Sequence, residues 1–177
     1  DSKKAESKLS LTISKSDFLR MKVVGQFNLG FIIVIKEDDQ ELFIIDQHAS
    51  DEKFNFERYS KETIFQNQPL VIPQELLLDP IDKIIVDDHL DIFKKNGFEV
   101  VSKHDADSDS TKLYLTTLPM SKGTIFDTSD FNELISLIKE NQDIGTRKNL
   151  ESLKCSKIRS MFAMRACRSS IMIGKPL

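Results

Sequence analysis

A chain of 177 residues, 40% of them apolar and with a formal charge of -3, can bury one sizeable core or two small lobes. No apolar run is long enough to cross a bilayer, and the opening DSKKAESKLSLTISKS lacks the charged start and apolar stretch of a secretory signal. Cys155 and Cys167 alone make no disulfide framework, so composition points to a soluble protein of a reducing, intracellular compartment and away from membrane and secreted classes.

Taken in chain order, the first sixteen residues are polar and read as a linker or frayed arm, with LSLTIS as a candidate edge strand. Ser16 or Asp17 is placed to cap a short turn before Val23. Phe31 to Ile35 and Leu42 to Ile45 are β-rich runs around the polar KEDDQE, the pattern of a hairpin. Their almost continuous apolar character predicts burial on both faces. After Asp46 the pattern changes to HASDEKFNFERYSKE, which favours a helix to about Lys61. QPLVIPQELLLD is extended, punctuated by Pro69, Pro73 and Pro80, each biasing the residue before it away from helix. PIDKIIVDDHLDIFKKNG then predicts one amphipathic helix, with Pro80 in its first turn and Gly97 as its stop. FEVVSK and KLYLTTLP read as two strands around HDADSDST, and DTSDFNELISLIKEN as a second helix. Together these make a β, α, β, β, α lobe from about Tyr59 to Asp143, followed by a last helical stretch in LESLKCSKIRSMFAMRACRSSI.

Charge is distributed unevenly. From Gly145 to Leu177 there are Arg147, Lys148, Lys154, Lys157, Arg159, Arg165, Arg168 and Lys175 against Glu151 alone, so the remainder is acidic. On one helix Lys154, Lys157, Arg165 and Arg168 would fall within about 80° of each other, a stripe suited to a polyanion. A solvated helix face or a contact with an acidic partner explains the same pattern. Two other motifs fail. Asp105, Asp107 and Asp109 begin like a calcium loop, but Ser110 and Thr116 stand where glycine and glutamate are required. Gly25 and Gly30 have phosphate-loop spacing without the following Lys-Ser/Thr.

The densest chemistry lies in LFIIDQHASDEKFNFE, Leu42 to Glu57, where a core strand gives way to a helix. His48 and Glu52 are four apart, about 40° around a helix, the arrangement of two ligands on one metal. Asp46 at the strand end can reach the same point. Glu57 lies about 140° from Glu52 and about 180° from His48, so a regular helix turns it away from them, toward Lys53 or Lys61. Helix caps use the same residue types, and one histidine with one glutamate cannot close a coordination shell. A capped, solvated helix start therefore stays open on spacing alone.

DQHASDEKFNFE also fits D-Q-H-A-x2-E-x4-E through Asp46, Gln47, His48, Ala49, Glu52 and Glu57. In this it resembles the endonuclease motif in the C-terminal domain of MutL-type mismatch-repair proteins. VVGQFNLGFI before it and MFAMRACRSSIMIG after it are similar to companion segments of that family. Over nearly the whole chain the resemblance is to the Pms-type subunit of eukaryotic MutL, with a fungal cast.

The resemblance implies an α+β fold of two lobes: a discontinuous dimerisation and catalytic lobe, residues 1–60 with 150–177, and an inserted α/β regulatory lobe, residues 61–149. It implies a metal-dependent DNA strand-nicking endonuclease that is also the dimerisation module, with Asp46, His48 and Glu52 as catalytic residues. His48, Glu52 and Cys167 match the family's metal ligands, with Asp46 beside them, and Gln47 and Glu57 belong to the motif around them. Imidazole, carboxylate and thiolate form a zinc-type set, with Mn2+ or Mg2+ supporting the cut. Gln68, Leu70 and Pro73 in QPLVIP match a short sliding-clamp motif, against the plain reading of a proline-bounded edge strand. The implied partners are an Mlh-type MutL subunit, a sliding clamp and double-stranded DNA held along the basic stripe, in the nucleus and without a membrane. The family also carries a Cys-Pro-His segment downstream of Ala-Cys-Arg, and this sequence stops at Gly174-Lys175-Pro176-Leu177 before it, so the ligand set is expected to be incomplete here. A scaffold holding a structural zinc, with no cutting activity, is the alternative.

Overall fold

The structure is a computed structural model that describes residues 13–38, 40–106, 109–142 and 147–177, with the side chains of 147 and 148 left out. It is α+β, with helices and two small antiparallel sheets. The chain separates into two compact units, one made of Asp1–Glu52 with Ser170–Leu177, the other of Lys53–Ser169.

In the first unit a short 3-10 turn, Asp17–Arg20, leads into a three-stranded meander of β1 (Met21–Phe27), β2 (Phe31–Lys36) and β3 (Glu41–Asp46), in the order β1-β2-β3. The hairpin expected around KEDDQE is β2–β3, in register from Phe31↔Asp46 to Lys36↔Glu41. β1 was not among the expected strands: VVGQF pairs with β2 through a bulge between Val23 and Gly25, which breaks the two-residue alternation that marks a strand. Asn28 and Leu29, both at φ 49, turn β1 into β2, a conformation that leucine rarely adopts. The edge strand anticipated in LSLTIS falls on residues that are not described, apart from Ile13 and Ser14, which lie in no strand.

The burial expected for β2 and β3 is corrected. Val34 is buried on one face, but Phe27, Phe31, Leu42 (65% exposed) and Ile44 (68% exposed) open to solvent on the other. The register explains the sidedness, because Phe27↔Phe31, Ile33↔Ile44 and Ile35↔Leu42 are directly opposed and so share a face.

α1 (Gln47–Glu62) follows β3 without a break and continues into the second unit from Lys53 onward. There β4 (Asn67–Glu75), β5 (Glu99–Asp105) and β6 (Ser110–Pro119) form a sheet in the order β4-β6-β5. On β6 every second residue is buried: Leu113, Leu115, Thr117 and Pro119. Onto this face pack α2 (Pro80–Asp88), α3 (Leu90–Lys95) and α4 (Thr128–Gln142), and Val86, Ile92, Phe93, Phe98, Phe131 and Leu134 close the core. Asp79 caps α2 by accepting from the Asp82 N–H at 2.8 Å, with Pro80 in the first turn.

The single helix expected through Gly97 is two, because His89 leaves helical geometry at φ -128 and its carbonyl starts α3 by accepting from Ile92 at 2.9 Å. The last helical stretch, expected from Leu150, is helical only from Ser156: α5 (Arg147–Leu150) ends where the stretch begins, and α6 (Ser156–Ser169) follows after a non-helical segment. A second cluster joins Ile158 and Phe162 of α6 to Phe56 and Tyr59 of α1, around Phe126 and Cys155. The Asp107 of HDADSDST lies outside the described residues.

Gly97 stops α3 for two reasons. Its φ is +89, and a Cβ there would stand 3.0 Å from the Pro119 Cα and 3.2 Å from the Gln66 carbonyl oxygen. Gly97→Ala is expected to cost about 2–3 kcal/mol, read as a lowered midpoint in urea denaturation with fluorescence detection.

Candidate metal centre

The site is built at the junction of β3 and α1. Asp46 is the last strand residue, opposite Phe31, and its Oδ1 accepts from the Ala49 N–H at 2.8 Å. The side chain therefore caps the helix it precedes. The Gln47 N–H donates to the Gly30 carbonyl at 3.0 Å, so the helix begins tied to the β1–β2 turn.

His48 and Glu52 face the same way on the first turns of α1, with Nε2 and Oε2 3.7 Å apart. The His48 Nδ1 lies 3.0 Å from the Ile171 carbonyl oxygen, which can only accept, so Nδ1 carries a proton and Nε2 is the nitrogen turned toward Glu52. Two ligands of one tetrahedral zinc lie about 3.3 Å apart, given bond lengths near 2.0–2.2 Å. The imidazole and carboxylate therefore need only close by a few tenths of an ångström to share an ion.

The C-terminal residues of the first unit wrap this helix start. Asp51 Oδ2 accepts from the Ile171 N–H at 2.8 Å. Gln47, which is buried, accepts from Gln26 Nε2 at 2.6 Å, and both glutamines donate to the Lys175 carbonyl, at 3.3 and 2.9 Å. The Gly174 N–H reaches the Leu29 carbonyl at 2.7 Å. Reading the sequence missed Gln26, Asp51 and the Ile171 peptide group, whose only signal would have been a contact 120 residues away in the chain.

In the second unit Glu57 pairs with Lys53 at 3.5 Å. Cys167 is a half-buried thiol near the end of α6, whereas Cys155 is fully buried and burial pushes its thiol up to about 11. Only Cys167 has the exposure of a ligand or reactive thiol. Within this unit α1 and α6 are also joined by the Tyr59 hydroxyl, 3.1 Å from Ser169 Oγ, and by Arg165 stacked 4.6 Å over the Tyr59 ring. Of the clamp-type residues, Gln68 is exposed on β4 and pairs with Leu118, whereas Leu70 turns inward onto the core. The β4 register shifts between Pro69 and Gln74, and at that irregularity Val71 and Ile72 stand out into solvent with the exposed Pro73.

The basic stripe is corrected. Lys154 precedes α6 and is buried, because the Asn96 side chain bonds Leu153 O at 2.9 Å and Cys155 N at 3.0 Å and draws the segment inward. Lys157 donates to the buried Asp130 carboxylate at 2.8 Å and to the Ile125 carbonyl at 3.0 Å, so its charge is already matched. Arg165 and Arg168 remain exposed, three apart on α6, lining a groove with Met161, Met164, Ser121 and Ser169.

A meander that ends at Asp46 and feeds a helix beginning Gln-His-Ala, with an α/β unit following it, fits the class: the chain belongs to the family described as the MutL C-terminal dimerisation domain, which matches residues 24–177. It is 56% identical to the DNA mismatch repair protein PMS1 of Saccharomyces cerevisiae over 179 residues, which cover 100% of this chain and 20% of that protein. It is 41% identical to the mismatch repair endonuclease PMS2 of Homo sapiens over 173 residues, 98% of this chain and 19% of that one. The DNA mismatch repair protein MutL of Clostridium perfringens is 32% identical over 161 residues, 89% of this chain and 22% of that one. The chain thus spans about a fifth of the length of these relatives.

The Lys154 ammonium has no hydrogen-bond partner among the described residues, and burial, with Lys95 nearby, pushes its pKa down to about 8. The unfolded chain holds that proton more tightly, so the penalty is full below about pH 8 and shrinks as pH rises toward 10.5. Lys154→Met is expected to raise stability by about 1–3 kcal/mol at pH 7 and by less at pH 9.5, measured by thermal unfolding at both pH values.

Proposed function

We propose that this chain is the metal-dependent, strand-nicking endonuclease portion of a mismatch-repair MutL heterodimer and its dimerisation module, working in the nucleus. The observation that carries the reading is the pairing of His48 and Glu52 at 3.7 Å, with the imidazole tied through Nδ1 to the Ile171 carbonyl so that Nε2 is the nitrogen turned to Glu52. The motif around that pair, and relatives described as mismatch repair endonucleases, support it.

His48, Glu52 and Cys167 are the proposed zinc ligands, and Asp46 lies beside them. When bound, divalent ions such as zinc with manganese or magnesium polarise a phosphodiester and lower the pKa of an attacking water. The chain's own part is to hold the donors at fixed angles on one helix and to keep Asp46 locked as its cap. Glu57, paired with Lys53, steadies the same helix from its opposite side. Arg165 and Arg168 are the proposed contacts to the DNA backbone, which position without reading sequence.

The open sheet face of Phe27, Phe31, Leu42 and Ile44 is the proposed surface for an Mlh-type partner, because a row of large apolar side chains exposed in one chain is suited to burial against another. Residues 61–149 are the proposed regulatory lobe. Its β4 segment offers Gln68 and Pro73, together with the exposed Val71 and Ile72, to a sliding clamp as an extended peptide with apolar anchors.

Two substitutions in the full-length heterodimer separate cutting from pairing. Glu52→Lys should lower manganese-dependent nicking of supercoiled DNA by more than about 100-fold while leaving the heterodimer intact by size-exclusion chromatography. Undiminished nicking in that variant sinks the catalytic assignment. Bound metal without nicking in the wild-type heterodimer, given clamp, favours a structural-zinc scaffold. Leu42→Asp with Ile44→Asp should instead weaken dimerisation by at least about 30-fold, because charges replace side chains that anchor the interface. Unchanged pairing would remove this face from the interface.

A further inference from the structure

We infer that Asp51 is a positioning residue for the metal centre, acting through the peptide group of Ile171 to hold the His48 imidazole in the tautomer and orientation that ligation needs. This rests on the reading of His48 as a ligand. Ile171 uses both sides of its backbone: its carbonyl accepts from His48 Nδ1 at 3.0 Å, and its N–H donates to Asp51 Oδ2 at 2.8 Å. His48 and Asp51 are three apart on α1 and so share a face, and the backbone of one residue spans them.

The rest of the segment is fastened independently of Asp51. Gly174 bonds Leu29, Lys175 receives both glutamines, and the Leu177 N–H reaches Gln26 Oε1 at 3.3 Å. Ile173 also lies over Gly30, where a Cβ would meet it at 3.3 Å. Those contacts place the strap, and the Asp51 bond sets the rotation of the Ile171 peptide within it. Without that acceptor the Ile171 N–H turns to water and its carbonyl leaves the line of Nδ1. The imidazole then loses the partner that fixes which nitrogen carries the proton. Ligating histidines characteristically need such a partner on their other nitrogen. As a solvated charge in the first turns of a helix, Asp51 would contribute only to helix stability. The bond to a backbone N–H 120 residues away in the chain is what assigns it a further role.

The test compares Asp51→Ala, Asp51→Asn and His48→Ala in the full-length protein paired with its MutL-family partner. Zinc affinity is read by competition with a chromophoric chelator, and hydrogen–deuterium exchange is followed across residues 169–177 after metal removal. Asp51→Ala should bind zinc about 10–100-fold more weakly and exchange faster at Ile171. Asp51→Asn keeps an acceptor oxygen and should stay near the wild type in both readouts. Faster exchange with undiminished zinc affinity, while His48→Ala loses zinc, overturns the positioning role and leaves the ligand reading standing. Unchanged exchange in Asp51→Ala overturns it as well, since no latch is then broken. Asp51→Asn behaving like Asp51→Ala assigns the effect to charge and rejects the geometry. If His48→Ala retains wild-type zinc affinity, the ligand reading fails, and this inference with it.

Discussion

The change from strand to helix at Asp46 and Gln47 is the constraint on which the candidate site depends. Asp46 is still paired in the sheet with Phe31, yet its carboxylate already caps the helix by accepting from Ala49, and the Gln47 N–H is held by Gly30. With no loop between the two elements, the first helical residues have no freedom to choose a direction. His48, Asp51 and Glu52 inherit their directions from the sheet. A site whose donors must hold ångström-scale geometry benefits from such rigid elements more than from a loop.

The same economy explains the segment after Ser170. It contains no helix or strand, and the backbone groups of Ile171, Gly174 and Lys175 are met by side chains and turns of the first unit: Asp51, His48, Gln26, Gln47 and the Leu29 carbonyl. Leu29 sits in the left-handed region, a strained choice for leucine, and its carbonyl is the one that receives Gly174. The turn and the segment are therefore parts of one hydrogen-bonded arrangement.

What the sequence made legible follows from range. The hairpin, the helix from Gln47, the two strands read in FEVVSK and KLYLTTLP, and α4 are set by local alternation and by the 3.6-residue period, and all are present. The sidedness of His48, Glu52 and Glu57 was legible for the same reason, since it needs only a regular helix. β1 was hidden by its bulge at Gly25, and the division of α2 from α3 by a single non-helical residue, His89. The polar partners of the site were not legible at all. Ile171 acts through its backbone, which has no sequence signature, and the two glutamines meet a carbonyl more than 120 residues away.

The basic stripe shows where helical-wheel reasoning breaks down. Angular spacing assumes that every residue lies on the helix and that every charge faces water. Asn96, fully buried, pulls Leu153 and Cys155 inward through its amide and carries Lys154 with them, while Asp130, also buried, claims Lys157. Both inward forces originate on other elements, so a wheel drawn for this segment alone contains neither. A buried aspartate requires a cation nearby, and a buried asparagine requires backbone groups for its donors and acceptor. Half of the apparent polyanion stripe is thereby committed to holding α6 and the segment before it in place, and of its four residues Arg165 and Arg168 stay exposed.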